Sequence, residues 1–375
     1  MLKSVMTGLM LLLSVPALAQ MANPTIQRAI QLTYNAKFAE AESLLNGYIA
    51  SNPQDPRGYI ARGTSRDWKQ MVENLKGKND SQVISDYETA NKMAFLLWNK
   101  DQGNIDKMVN LGNSYLFQAR KWIDLKKTTR AGLVLKKCRK HMEEAIAKDP
   151  NRWDAYLAIG AFNFYAANIP PGLQILASLI GITGNESLGL KQLGQAASNN
   201  HWLQSDTLFL LSYAYGQTKK NYGGALTYLN RLNGMYPNNP HFIFLKGEYA
   251  YRAKNFAASR ADFAKLFQFC DSKPKGSCGK HYLFLAHYFL AAGYNKEGND
   301  LAGEKDVERA MELNENQFPD RTGYLHYFHG MVLKAEGKKK KAIEAFEKCI
   351  AAPGGNPQAK KKAKEELATL GGGKK

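Results

Sequence analysis

No G-x-S-x-G elbow, no H-E-x-x-H helix and no G-x-x-x-x-G-K-[ST] loop occurs in these 375 residues. The usual signatures of a serine hydrolase, a zinc protease and a phosphate-cradling loop are therefore absent, and no cofactor is implied. Alternating apolar and polar runs of strand length are nearly missing too, while Ala, Leu, Lys and Glu carry most segments, which argues against a sheet. No Pro-, Ser- or Gly-rich linker divides the chain. Its one low-complexity stretch is Gly371-Gly372-Gly373-Lys374-Lys375, behind a lysine-rich run from Lys360 to Lys364. One extended domain fits better than several globules joined by linkers. Acidic residues are scarce, 33 against 51 Lys and Arg, and the formal charge is +18. Such a field attracts acidic proteins, anionic lipid headgroups or polyanionic envelope polymers, with affinity falling as salt rises. Nucleic acid is not expected, because neither a recognition helix nor an aromatic platform accompanies the charges.

What the chain does contain is a beat of 34 residues. It separates Ala225 from Ser259, Leu229 from Phe263, and Leu232 from Leu266. Counted from Gly323, a unit has His326 at position 4, Gly330 at 8, Ala342 at 20, Phe346 at 24 and Cys349 at 27. From Pro240 the same positions hold Ile243, Gly247, Ser259, Phe263 and Leu266, and from Asp206 they hold Phe209, Tyr213, Ala225, Leu229 and Leu232. Ala41, Leu45, Tyr48 and Pro53, and again Cys138, Met142, Ala145 and Pro150, match second halves of the same unit. Small residues at 8 and 20 let two helices approach closely, and the larger residue at 24 fills the space beside them. This pattern resembles the tetratricopeptide repeat (TPR) family. The resemblance implies an all-α, TPR-like α-solenoid of antiparallel helix pairs, about 17 helices with short polar turns. It also implies a scaffold that holds protein partners and is not an enzyme. The lysine and asparagine set with which some TPR proteins read chaperone C-termini is not found in register.

The chain divides into residues 1–19, a leader; 20–150, N-terminal helical repeats; 151–200, a repeat with an apolar insertion; 201–356, C-terminal repeats; and 357–375, a capping helix with a lysine-rich tail. In the leader Lys3 supplies the positive end, Val5 to Val15 an apolar core too short to span a bilayer, and Ala17-Leu18-Ala19 a cleavage site before Gln20. Export to the periplasm or beyond is the expectation, assuming a bacterial source. It changes how the cysteines read. Cys270 and Cys278 bracket a polar, turn-rich segment and are expected to form a disulfide, for about 2 kcal/mol. Cys138 and Cys349 fall at small-residue positions and read as packed thiols.

Between Cys138 and Gly189, both at position 20, lie 51 positions, 17 more than one repeat. The window from Ala155 to Asn185 holds no charged residue, in a chain that is 22% charged, and Pro170-Pro171-Gly172 breaks it. Three readings stay open: a helix folded back into the core, a docking surface for a partner helix or acyl chain, and shallow contact with a membrane. The run from Pro170-Pro171 to Gly184, followed by Asn185-Glu186-Ser187-Leu188-Gly189-Leu190, resembles a wider TPR family that includes the fungal inclusion-body clearance protein. That resemblance implies a shared helical scaffold with no established chemistry.

Candidate partner-binding residues are Pro170, Pro171, Leu173 and Leu176 in the insertion, Tyr213, Tyr249 and Tyr251 as aromatic anchors, and His326 with His329. The two histidines stand three apart on one helix face, a spacing that suits either a packed or groove-lining pair or two ligands of a metal-dependent enzyme, with the metal disfavoured for want of a carboxylate pair. The sequence thus predicts an exported, non-enzymatic scaffold in the cell envelope, with a concave groove, a basic surface and at most peripheral membrane contact. The alternative is a periplasmic small-ligand carrier or transporter-associated factor with an apolar cavity near residues 155–185.

Overall fold

The computed structural model describes residues 23–371 apart from 76, 170, 180, 273–277 and 315–317, so the leader lies outside it. Helices follow one another without a strand among the described residues. They are α1 (Pro24–Tyr34), α2 (Phe38–Ser51), α3 (Pro56–Glu73), α4 (Asp80–Lys100), α5 (Ile105–Asp124) and α6 (Thr128–Lys148). Next come α7 (Trp153–Ala167), α8 (Pro171–Leu179), α9 (Glu186–Ser198) and α10 (Gln204–Tyr213), the last closed by a π turn over Ala214–Thr218. Then follow α11 (Tyr222–Met235), α12 (Pro240–Arg252), α13 (Phe256–Asp271), α14 (Lys280–Lys296), α15 (Glu304–Leu313), α16 (Pro319–Ala335), α17 (Lys339–Ala351) and α18 (Pro357–Thr369). The fold is all-α and TPR-like, and α18 stands where a capping helix was expected.

Local chemistry explains where these helices start and stop. Asn104, Asn185, Asn221, Asn239, Asn255 and Asn356 each precede a helix and accept a backbone N–H of its first turn, satisfying a donor that has no partner inside the helix. Many turns within a pair close on a left-handed residue, after which an N–H bonds back five positions. Lys37 bonds to Leu32, Lys127 to Trp122, Asn255 to Ala250 and Lys338 to Leu333, at 2.8–2.9 Å. Glycine fills the left-handed position at 337, but Ala36, Lys126 and Lys254 fill it elsewhere.

The repeat shows most clearly as a glycine on one helix facing a large residue on its partner. A Cβ at Gly247 would lie 2.5 Å from the Phe263 ring, and one at Gly330 would lie 2.5 Å from Phe346. Gly63 meets Tyr87, Gly112 meets Met142 and Gly160 meets Leu193 in the same way. The spacing is 16 residues in the pairs α12/α13 and α16/α17 but 24 and 30 in the long pairs α3/α4 and α5/α6. In the pair α7/α9 it is 33, because the 17-residue insertion carrying α8 lies inside that pair. Phe346 is fully buried and cannot step aside. Gly330→Ala is therefore expected to lower stability by about 1–3 kcal/mol through overpacking. Gly234→Ala on α11, with open space around it, should raise stability by about 0.5–1 kcal/mol. Urea unfolding midpoints of the two variants check the contrast.

By its contacts the chain forms two compact units, one containing Ser43–Gly63 and Ile84–Thr207, the other Ile30–Glu42, Thr64–Val83 and Leu208–Lys375. In the first, Met108, Val109 and Leu111 of α5, Cys138, Met142 and Ala145 of α6 and Ala155, Ala158 and Ile159 of α7 make a continuous core. In the second, Ala225, Leu229, Leu232, Phe263 and Leu266, the residues that carry the 34-residue beat, are fully buried. The second unit also departs from a strict nearest-neighbour stack. Trp68 packs at 4.8 Å on Phe209 and 5.4 Å on Phe242, Tyr34 stacks at 5.0 Å on Tyr236, and the Asn239 amide donates to the Tyr34 carbonyl at 2.8 Å. N-terminal residues are thus built into a core made mostly by the C-terminal half of the sequence.

Candidate functional site

Two grooves of the second unit occupy the same place in the repeat. One, about 410 Å³, lies among α11, α12 and α13 and is lined by Asn233, Ile243, Lys246, Asp262, Lys265 and Phe269. The other, about 340 Å³, lies among α15, α16 and α17, where His326, His329, Lys341 and Lys348 face Glu304 and Glu308. Ile243 and His326 both hold repeat position 4, Lys246 and His329 position 7, and Lys265 and Lys348 position 26. The repeat places each set because positions 4 and 7 share one face of the pair's first helix, and position 26 projects from the second helix beside them.

Charge in these grooves is mixed. Asp262 Oδ1 sits 3.5 Å from both Lys246 Nζ and Lys265 Nζ. Both imidazoles of the second groove are held below the usual histidine range. Burial is the main cause for each, reinforced at His326 by Lys348 and His329 and partly offset at His329 by Glu308. They are neutral at pH 7, and His326 Nδ1 is buried with no hydrogen-bond partner. Among the described residues no three His, Cys, Asp or Glu side chains are grouped to hold a metal ion. The grooves offer imidazole donors and acceptors, lysine cations, the carboxylates of Asp262, Glu304 and Glu308, and short apolar floors.

The other expected site residues are scattered. Tyr213 ends α10 and is 45% exposed. Tyr251 is half-buried against Phe289 at 5.1 Å and Phe256 at 5.7 Å. Tyr249, expected as a partner-facing anchor, is instead fully buried. Its ring fills the space left by Gly216 in the π turn, where a Cβ would come within 2.4 Å, so no partner can reach it. Pro170 lies outside the described residues, as do the side chains of Leu173 and Leu176, while Pro171 is exposed at the start of α8. Cys270 and Cys278 are joined in a disulfide. Cys138 and Cys349 are buried free thiols, pushed up to about 12 and about 11 by burial. Sequence reading missed Lys246, Lys265 and Lys348. Their signal was there, in the recurrence of a side chain at positions 7 and 26, but a lysine on a basic chain does not stand out.

The expected cavity near residues 155–185 meets a close helix crossing. A Cβ at Gly160 would lie 3.0 Å from the Gly189 carbonyl, and one at Gly184 would lie 2.4 Å from the Ala167 nitrogen. At these points α7 meets α9 and the residues before it backbone to backbone. No described helix is long and apolar enough to cross a membrane.

Comparison with known proteins supplies the remaining context. A model of the family described as Iml2/Tetratricopeptide repeat protein 39 matches residues 154–372, from the start of α7 through α18. Among solved structures, a chain of the APC/C hetero-tetramer Cut9–Hcn1 superposes with a TM-score of 0.53 at 13% identity, over 94% of this chain. This chain spans 57% of the length of that one. A tetratricopeptide repeat protein from Parabacteroides merdae gives a TM-score of 0.36 at 14% identity, over 80% of this chain and 98% of that one. Yeast Tom70 gives 0.39 at 11% identity, over 92% and 81%. The search of curated proteins gave no match.

Proposed function

Because the chain belongs to the Iml2/Tetratricopeptide repeat protein 39 family, we propose that it is a scaffold that binds protein partners and performs no chemistry of its own, working in the cell envelope. One observation carries the reading: the same groove recurs at two repeat junctions, built from equivalent positions and lined by mobile charged side chains. A peptide segment with acidic side chains at matching intervals would meet Lys246 and Lys265 in one groove and Lys341 and Lys348 in the other, and repetition would add their affinities. The leader-like pattern of residues 1–19 and a disulfide across a short polar segment support the envelope location, since disulfides persist in oxidising compartments.

A photo-reactive amino acid at Lys265 and at His329, with a third at exposed Glu88 as the control, tests this. The same partner should be trapped from both grooves and not from Glu88, and Lys265→Glu with Lys348→Glu should reduce capture about tenfold or more. Equal trapping at Glu88, or none at either groove, removes the groove from the reading. The recovered protein should begin at Gln20 and come from the envelope fraction; a chain retaining residues 1–19 in the cytosol would end the export reading.

A further inference from the structure

The α8 insertion and the outer face of α6, both in the first unit, meet in an arrangement the scaffold reading does not use. Helix α8 turns Pro171, Gln174, Ile175 and Ser178 to solvent, a complete i, i+3, i+4, i+7 face without a charge. Ile175 on that face is 74% exposed, the most exposed of the large hydrophobic residues described. With no charge on the face around it, Ile175 gains by entering an apolar medium.

Helix α6 shows the same spacing with the opposite character. Leu133, 56% exposed, is followed by Lys136, Lys137 and Lys140, all exposed on one face. Other cations of α6 have partners: Arg139 pairs with Glu143 at 2.7 Å and Lys148 with Glu144 at 2.9 Å. Lys136, Lys137 and Lys140 have no carboxylate within ion-pair distance among the described residues, so they present three unneutralised charges. The two faces adjoin. Gly181, the left-handed residue that ends α8, places its Cβ direction 3.8 Å from Lys136 Nζ, and the N–H groups of Gly181 and Ile182 close the helix onto Ser178 and Ala177. A cation beside a helix C-terminus is favourable, which helps fix α8 against α6.

We propose that this face is a docking surface for an anionic lipid bilayer, with Ile175 entering the headgroup boundary and Lys136, Lys137 and Lys140 meeting the lipid phosphates. A short apolar wedge beside a row of cations is the pair of signals that reversible membrane binding requires, since neither suffices alone. With nine residues, α8 can enter the boundary but cannot cross. An acidic protein would satisfy the lysines and leave the uncharged α8 face with nothing to gain, which is why the lipid surface fits better.

Co-sedimentation of the full chain with vesicles of equal phosphatidylglycerol and phosphatidylcholine, beside phosphatidylcholine alone, tests this. Binding should require the anionic lipid and weaken with salt. It should fall about a hundredfold in the variant Lys136→Ser, Lys137→Ser, Lys140→Ser and about tenfold in Ile175→Ser. Because Lys136 also stands beside the end of α8, the variant Lys137→Ser with Lys140→Ser separates lipid contact from that support: it should still lose binding about tenfold or more, and thermal unfolding of it and of Ile175→Ser should match the parent. Failure to bind anionic vesicles overturns the proposal. Binding that follows the lysines but ignores Ile175 overturns it as well, because any cationic surface would then serve. Loss of vesicle binding with partner trapping intact, or the reverse, separates this surface from the grooves.

Discussion

Arg152→Met should cost the protein about 3–5 kcal/mol of unfolding free energy at pH 7, as measured by urea denaturation. Arg152 is 5% exposed and grips Asp154, 2% exposed, with two parallel bonds of 3.1 Å, while its remaining nitrogen reaches Asp106. Burial, with the Asp106 carboxylate adding to it, holds the Asp154 carboxyl above its ordinary range, and the Arg152 guanidinium is the main opposition to that push. Without it a carboxylate would sit in the interior at the start of α7 with no counter-charge. The folded variant would then hold a proton that the unfolded chain releases near pH 4, so its deficit should shrink as the solution is acidified and be fullest near neutrality. The double change Arg152→Met with Asp154→Leu removes both charges and should recover most of the loss. A double variant as unstable as the single one would mean that the pair matters through its shape and not its charge.

Lowering the pH from 7 to 5 should destabilise the parent protein by several kcal/mol. Three histidines, His201 buried and His241 and His281 half-buried, are held furthest below the ordinary range by loss of solvent: His201 at about 4, His241 at about 3 and His281 at about 4. His241 Nδ1 bonds to the Tyr282 hydroxyl at 3.1 Å, His281 packs 3.9 Å from the same tyrosine ring, and His201 Nε2 bonds to the Ala196 carbonyl at 3.1 Å. An imidazole whose folded pKa is depressed takes up protons more readily unfolded. Its contribution is intact above about 6.5 and drains away as the pH falls toward the folded value. Each such group costs about 1.4 kcal/mol per pH unit in that window, or about 2 kcal/mol by pH 5. Summed over three groups the loss approaches the whole stability of an ordinary domain, so acid unfolding should begin near pH 5. His281→Phe should flatten the slope by about a third, read from urea midpoints between pH 5 and 7. A stability that stays level to pH 5 would mean that these rings are reached by water.

Periodicity reads well where a helix pair has its shortest form. The pairs α12/α13 and α16/α17 keep glycine and phenylalanine 16 residues apart, and there the 34-residue count placed the buried Gly247, Phe263 and Leu266, and Gly330, Ala342, Phe346 and Cys349. It fails in α3/α4 and α5/α6 because extra turns lengthen both helices. Gly63 still meets Tyr87 and Gly112 still meets Met142, but no fixed interval reveals it. The insertion was legible as an excess of 17 residues, and the family it resembled is the one to which the chain belongs. Tyr249 was misplaced because its burial depends on Gly216 in the π turn, a backbone feature that no residue count encodes. The grooves were half legible: His326 and His329 stood out, whereas the lysines beside them did not, since position in a repeat says which face a residue shares but not which face stays open.

The aromatic core around Trp68 also sets a clock. Tyr34 leaves the ribosome 205 residues before Asn239, its hydrogen-bond partner. At roughly 5–20 residues per second that interval is about 10–40 seconds, during which Tyr34 and Trp68 have no Phe242 or Tyr236 to cover them. A nascent chain must carry this aromatic surface without its folded-state cover through more than half of its synthesis. The same arithmetic warns against expressing the family-matched stretch alone. A fragment starting at Asp154 would be born with Tyr236, His241 and Phe242 bare and with no Tyr34 or Trp68 ever arriving to cover them.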